Sequence, residues 1–166
     1  STSTDAETLS GTPGDDTLLG GSGNDTFTTG SGTDVVLGYG GNDSITIDGS
    51  GNKTINGGAG TDTLSISYSG ITDIGSFVTR IRQSDNVYVL TDSSGNTISF
   101  SNIGSDIDGD VWGATTGLTI NGANYCISSD KYSPLSLWYP GSSSSGAVIY
   151  SLSEGKVGLV ANADTN

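Results

Sequence analysis

Between Gly11 and Ser65 the chain repeats itself every nine residues. The copies read GTPGDDTLL, GGSGNDTFT, TGSGTDVVL, GYGGNDSIT, then the single residue Ile47, then DGSGNKTIN and GGAGTDTLS. Gly holds the fourth position of every copy, at Gly14, Gly23, Gly32, Gly41, Gly51 and Gly60. A large apolar residue holds the eighth: Leu18, Phe27, Val36, Ile45, Ile55 and Leu64. The sixth holds Asp16, Asp25, Asp34, Asp43, Lys53 and Asp62. A period this short is too small to build a core alone, so each copy must bury its apolar residue by stacking on its neighbours.

Glycines early in each copy let the backbone turn at positive φ and bring carbonyl oxygens inward with no Cβ in the way. The following three residues suit a very short strand whose central side chain points into the core. A turn plus a short strand is half a coil, so two copies make one coil and the fold is an all-β parallel roll. Odd copies stack along one edge and even copies along the other, with strands about 4.8 Å apart. Each Asp then lies next to the Asp two copies later. Hard carboxylate and carbonyl oxygens in this arrangement suit calcium, which takes six to eight of them at roughly 2.3–2.6 Å. The register predicts about three ions, between Asp16 and Asp34, Asp25 and Asp43, and Asp43 and Asp62. Carbonyls around Gly11, Gly14, Gly20, Gly21, Gly23, Gly32, Gly38, Gly41, Gly58 and Gly60 complete the expected ligand set. Lys53 disrupts a fourth position, opposite Asp34: an ammonium cannot ligate calcium, but it can replace the ion's charge. The extra residue Ile47 is expected to distort the coil nearby.

The GGxGxDxUx signature resembles the repeats-in-toxin calcium-binding family over residues 11–65, about a third of the chain. The resemblance implies a calcium-loaded β-roll in a secreted bacterial protein. Members of that family are often exported unfolded by an uncleaved C-terminal signal, and fold where calcium is millimolar. The end of this chain, VGLVANADTN, does not read as a signal of that type.

Charge agrees with a cation-dependent fold. Net charge is −13, and the first 65 residues carry nine acidic groups against Lys53 alone. Such crowding repels itself unless a cation is present, and it argues against a nucleic-acid partner, which needs a basic footprint. No apolar run approaches the ~20 residues of a membrane-spanning helix. The sequence shows no initiating Met and no N-terminal signal peptide, leaving a mature form, an excised piece or another export signal. There is no His, so the usual general base and zinc ligand are missing, and no enzyme is expected. Cys126 is the sole cysteine; in a secreted protein it could pair between molecules, but its neighbours Tyr125 and Ile127 favour a small residue buried in a strand.

The remaining chain divides as follows. Residues 1–10 are polar and read as a flexible arm or donor strand, residues 11–66 as the roll, and 67–110 as a capping segment. Within the cap, Ile71, Ile74, Phe77, Val78 and Ile81 fall at helical spacing, or mark an irregular crossing. NVYVLTDSSGNTISFSNI reads as a hairpin with strands at 87–91 and 97–101, and resembles the segment that often follows repeats-in-toxin arrays. Asp106, Asp108 and Asp110 form an acidic linker or a partial calcium loop, lacking the Gly and Glu of a helix–loop–helix site. Residues 111–166 read as an antiparallel β module, with candidate strands at 117–121, 123–128, 135–139, 146–152 and 156–161. The Asn-x-Ser/Thr triplets at Asn24, Asn42 and Asn52 arise from the repeat and read as turn residues.

Three functions fit. The first is a secreted bacterial structural or adhesive protein, a matrix, surface-layer or fibre subunit, assembling head to tail with itself by strand addition. The second is a calcium-folding, secretion module of a larger enzyme or toxin. The third is a sugar- or ice-binding module: turn residues such as Ser22, Asn24, Thr33 and Asn42 form an irregular row, and Trp138 or Tyr139 could stack on a surface glycan.

Overall fold

The structure is a computed structural model and describes residues 3–83, 87–106, 114–128, 148–151, 156–159 and 161–162. Its organising unit is the parallel β-roll. Seven short strands wind through it: β1 (Thr8–Ser10), β2 (Thr17–Leu19), β3 (Thr26–Thr28), β4 (Asp34–Leu37), β5 (Ser44–Ile47), β6 (Lys53–Asn56) and β7 (Thr63–Ile66). They alternate between two facing sheets, β1-β3-β5-β7 in one and β2-β4-β6 in the other, all pairs parallel. Every apolar eighth-position residue points inward; Phe27, Val36 and Leu64 are fully buried, and Leu18, Ile45 and Ile55 nearly so. Each such side chain contributes on the order of 1.5–3 kcal/mol by leaving water.

The N-terminal residues correct the expectation of a flexible arm. Thr8, Leu9 and Ser10 pair with Thr26, Phe27 and Thr28, so β1 is a rung of the roll itself. Leu9 packs against the core. The physical reason lies in Glu7-Thr8-Leu9-Ser10, which repeats the acidic–Thr–Leu–Ser order of Asp62-Thr63-Leu64-Ser65. Ile47 likewise does not distort the coil. It lengthens β5 by one residue, pairs with Ile66 and is fully buried.

Beyond the roll the cap continues both sheets. Strands β8 (Phe77–Arg82), β9 (Tyr88–Asp92) and β10 (Thr97–Ser101) form an antiparallel meander, and β10 lies parallel on β6. Ile98 and Phe100 extend the core, and the Phe100 ring stacks on Tyr88 at 5.5 Å. The helical spacing over residues 71–82 is realised otherwise: a 3-10 turn at Ile74–Ser76 leads into β8, leaving Val78 63% exposed. β-branched Val78, Thr79 and Ile81 suit a strand, and β9 supplies a partner edge.

The other sheet continues through β12 (Ala114–Ile120), parallel to β7, then antiparallel through β13 (Ala123–Ser128), β14 (Val148–Ser151) and β15 (Lys156–Leu159). β11 (Ser105–Asp106) pairs with β12, and β16 (Ala161–Asn162) pairs with β8. The antiparallel strands are therefore a continuation of the roll's own sheet. The candidate strand at 135–139, with Trp138 and Tyr139, lies outside the described residues. Tyr125 and Ile127 face the core, and alternation turns Cys126 to the outer side, where it is half-buried instead of fully enclosed. Among the described residues no helix is long and apolar enough to cross a membrane.

Candidate metal centre

The roll places the sixth-position residues in two columns. Asp25, Asp43 and Asp62 follow one edge; Asp16, Asp34 and Lys53 follow the other. The carboxylates of Asp25, Asp34, Asp43 and Asp62 are each tied to the rung before. The Asp16 N–H donates to Asp34 Oδ1 at 3.0 Å, Asp25 N–H to Asp43 Oδ1 at 2.8 Å, and Asp43 N–H to Asp62 Oδ1 at 2.8 Å. Glu7 N–H donates to Asp25 Oδ1 at 2.8 Å, which makes Glu7 the first acidic member of the even column. Glu7 lies outside the acidic set expected from the sequence, and its one signal there is its place nine residues before Asp16.

The second carboxylate oxygens divide into two groups. Asp16 Oδ2 accepts from the Thr12 N–H at 2.6 Å and hydroxyl at 2.9 Å, and Asp25 Oδ2 accepts from the Gly21 N–H at 2.8 Å. Asp34 Oδ2 accepts from Lys53 Nζ at 2.6 Å. Asp43 Oδ2 and Asp62 Oδ2 are buried and have no hydrogen-bond partner among the described residues. An unpartnered carboxylate oxygen away from water is costly. Burial, with Asp62 and Asp25 nearby, raises the Asp43 pKa despite the Asp25 N–H; burial likewise raises that of Asp62 despite the Asp43 N–H.

Backbone geometry accompanies the division. At the second position of the copies, Gly30, Tyr39 and Gly58 have φ of 75°, 72° and 96°. Thr12 and Gly21 are not in that region, and theirs are the N–H groups that reach the carboxylates of Asp16 and Asp25. Tyr39 holds a left-handed conformation with a full side chain, half exposed at 53%.

Glycine at the first position keeps a cradle open. A Cβ on Gly38 would overlap both Asp43 Oδ2 and the carbonyl of Gly57. A Cβ on Gly57 would overlap Asp62 Oδ2 and the carbonyl of Asn102. On Gly20 it would meet Asp25 Oδ2 at 2.5 Å and the carbonyl of Gly38 at 2.7 Å. Carboxylate and carbonyl oxygens thus converge where no donor reaches the orphaned oxygen, which is the donor set of a hard cation. Among the described residues no three Asp, Glu, Cys or His side chains converge. A calcium ion here would rely on main-chain carbonyls beside its carboxylates. Gly57 and Asn102 stand outside the set of carbonyls expected from the sequence.

Lys53 lies fully inside the other edge. Its ammonium donates to Asp34 Oδ2 at 2.6 Å, Gly32 O at 2.8 Å and Ser50 O at 3.2 Å, using all three N–H bonds. The carbonyl of Gly32, one of those expected to face a metal, faces this ammonium. Of the tentative acidic cluster, Asp106 belongs to β11, and Asp108 and Asp110 lie outside the described residues. Asn24 and Asn42 are engaged in a turn ladder, accepting from the N–H groups of Asn42 and Thr61 at 2.7 and 2.8 Å.

A parallel roll with a column of buried carboxylates facing main-chain carbonyls defines a calcium-repeat module. Residues 2–36, 10–45 and 47–65 match the family model of the RTX calcium-binding nonapeptide repeat, in four copies. The match begins ahead of Gly11, in keeping with β1 being a rung. No curated protein and no solved structure matches the chain.

Proposed function

We propose that this chain is a calcium-folded structural or adhesive module that works outside a bacterial cell. The observation that carries the reading is the pair of orphaned oxygens, Asp43 Oδ2 and Asp62 Oδ2, each beside a main-chain carbonyl in a cradle that only glycine leaves open. Asp16, Asp25, Asp34, Asp43 and Asp62 are the proposed carboxylate ligands. Bound calcium would supply the positive charge the even edge lacks, so that binding energy becomes folding energy. Extracellular calcium modules bind at about 10⁻⁴–10⁻³ M, which keeps such a chain unfolded inside a cell and ordered outside it.

Self-assembly is part of this reading. Among the described residues β1 and β2 are terminal strands, paired on one side only, whereas β12 and β10 cover β7 and β6 at the other end of the roll. Strand addition would therefore use the open edges of β1 and β2, not a free arm.

Sedimentation velocity in EDTA and then in millimolar calcium tests the proposal. Conversion of an expanded chain into compact or assembled particles that EDTA reverses supports it. Identical sedimentation in both buffers overturns it. A compact monomer at every concentration favours the alternative role, as the calcium-folding part of a larger secreted protein.

A further inference from the structure

The nonapeptide array ends at Ser65, yet the series of contacts that builds its cradles runs one step further. Gly20 N–H donates to Leu37 O at 2.9 Å, Gly38 N–H to Asn56 O at 2.9 Å, and Gly57 N–H to Ser101 O at 3.1 Å. In each case the next residue's carbonyl lies at the cradle: Gly38 O beside Asp25, Gly57 O beside Asp43 and Asn102 O beside Asp62. Ser101 and Asn102 thus occupy the ninth and first positions of a copy that the sequence does not spell. The strand before them fits the same frame. Ile98 pairs with Lys53 and Phe100 with Ile55, so Phe100 fills an eighth position. The turn is fixed on both sides. Asn102 takes φ of 53°, its Nδ2 donates to Asn56 Oδ1 at 2.8 Å, and Gly104 N–H donates to Asp62 O at 2.7 Å.

We propose that the last cation site of the roll is composite: Asp62 supplies the carboxylate, and the main-chain carbonyl of Asn102, from the cap, supplies an oxygen that a further repeat would otherwise give. Asp62 Oδ2, buried and without a hydrogen-bond partner among the described residues, lies at the cradle this carbonyl faces. Calcium at this site does more than order a turn. It fastens the strand Thr97–Ser101 and the bridge between Asp62 and Gly104 to the end of the roll. Asn at position 102 serves the geometry, because it tolerates the left-handed conformation that aims its carbonyl, whereas a β-branched residue does not. The inference rests on the calcium reading above and extends it to a residue outside the repeat.

Hydrogen exchange on the full chain, with calcium itself as the probe, tests this directly. The amides of residues 101–104 should slow at least about tenfold when calcium is added. Asp62→Asn should abolish that slowing. Calorimetric titration supplies the second readout. Asn102→Gly keeps a backbone that can adopt positive φ and should bind as many ions as the natural chain. Asn102→Val should lose one ion, or weaken one site by about tenfold or more, since affinity follows ligand placement and rigidity. Calcium uptake with unchanged exchange at 101–104, or an Asn102→Val chain that binds like the natural one, overturns the composite site alone. Absence of any calcium uptake overturns both this site and the calcium-folded roll.

Discussion

Lys53 Nζ lies 2.6 Å from Asp34 Oδ2, and neither side chain reaches solvent. A buried ion pair owes its standing to full hydrogen bonding, and removing one partner strands the other. Here the ammonium bridges the rungs of Gly32, Asp34 and Ser50 as a cation would. Lys53→Met should therefore destabilise the calcium-loaded roll by roughly 3–5 kcal/mol in urea unfolding. A loss below about 1 kcal/mol, the level of an exposed pair, would contradict that role.

Lys53→Asp makes the complementary prediction. It restores the acidic sixth position opposite Asp34, so the variant should be less ordered than the natural chain in EDTA. Calorimetry should then count one more calcium ion than in the natural chain. An unchanged count would show that the position between Asp34 and residue 53 cannot form a cation site even with the acid in place.

Asp43 is the most connected acid of the even edge. Its Oδ1 accepts from Asp25, its own N–H donates to Asp62, and its Oδ2 is orphaned. Asp16 is partly exposed; its carboxylate accepts from Thr12 within its own turn, and its N–H donates to Asp34 Oδ1 in the next coil. Asp43→Ala should raise the calcium concentration needed for half-maximal folding by about tenfold or more, and Asp16→Ala by less. Circular dichroism during calcium titration checks this; equal shifts for the two variants would contradict the register.

Asp92 anchors the hairpin between β9 and β10. Its Oδ1 accepts from the N–H groups of Ser94 and Asn96 at 2.9 Å, and its Oδ2 from Asn96 Nδ2 at 2.8 Å and the Tyr68 hydroxyl at 3.0 Å. Burial acts to raise its pKa, but the Asn96, Tyr68 and Ser94 donors outweigh burial and hold it below 3.8. A depressed folded pKa gives stability that is present above the unfolded value and lost as pH falls through the folded one. Asp92→Asn should thus cost about 1–3 kcal/mol at pH 7. The difference from the natural chain should shrink below pH 3.8, read by urea unfolding. A pH-independent difference would rule out the charge as its source.

How far the sequence discloses this protein follows from how local each signal is. The roll is legible because Gly at the fourth position and the apolar eighth position act within nine residues, and each copy repeats them. The rung Glu7–Ser10 is harder to see, since it keeps the acid, Thr, Leu and Ser but lacks the glycines. Asn102 is harder still. Its role depends on β10 stacking on β6, which joins Ile98 and Phe100 to Lys53 and Ile55 across some forty-five residues. Val78 shows the reverse failure. Helical spacing in residues 71–82 was real, but pairing with β9 decided the local structure.

The central claim is that calcium completes the even edge at Asp43 and Asp62. Calorimetric calcium titration of the natural chain and of the Asp43→Asn/Asp62→Asn double variant, paired with far-ultraviolet circular dichroism, tests it most directly. The natural chain should bind calcium and gain β-structure in the same concentration range. The double variant should lose those ions and remain in calcium as the natural chain is in EDTA. A double variant that binds and folds like the natural chain would contradict the claim.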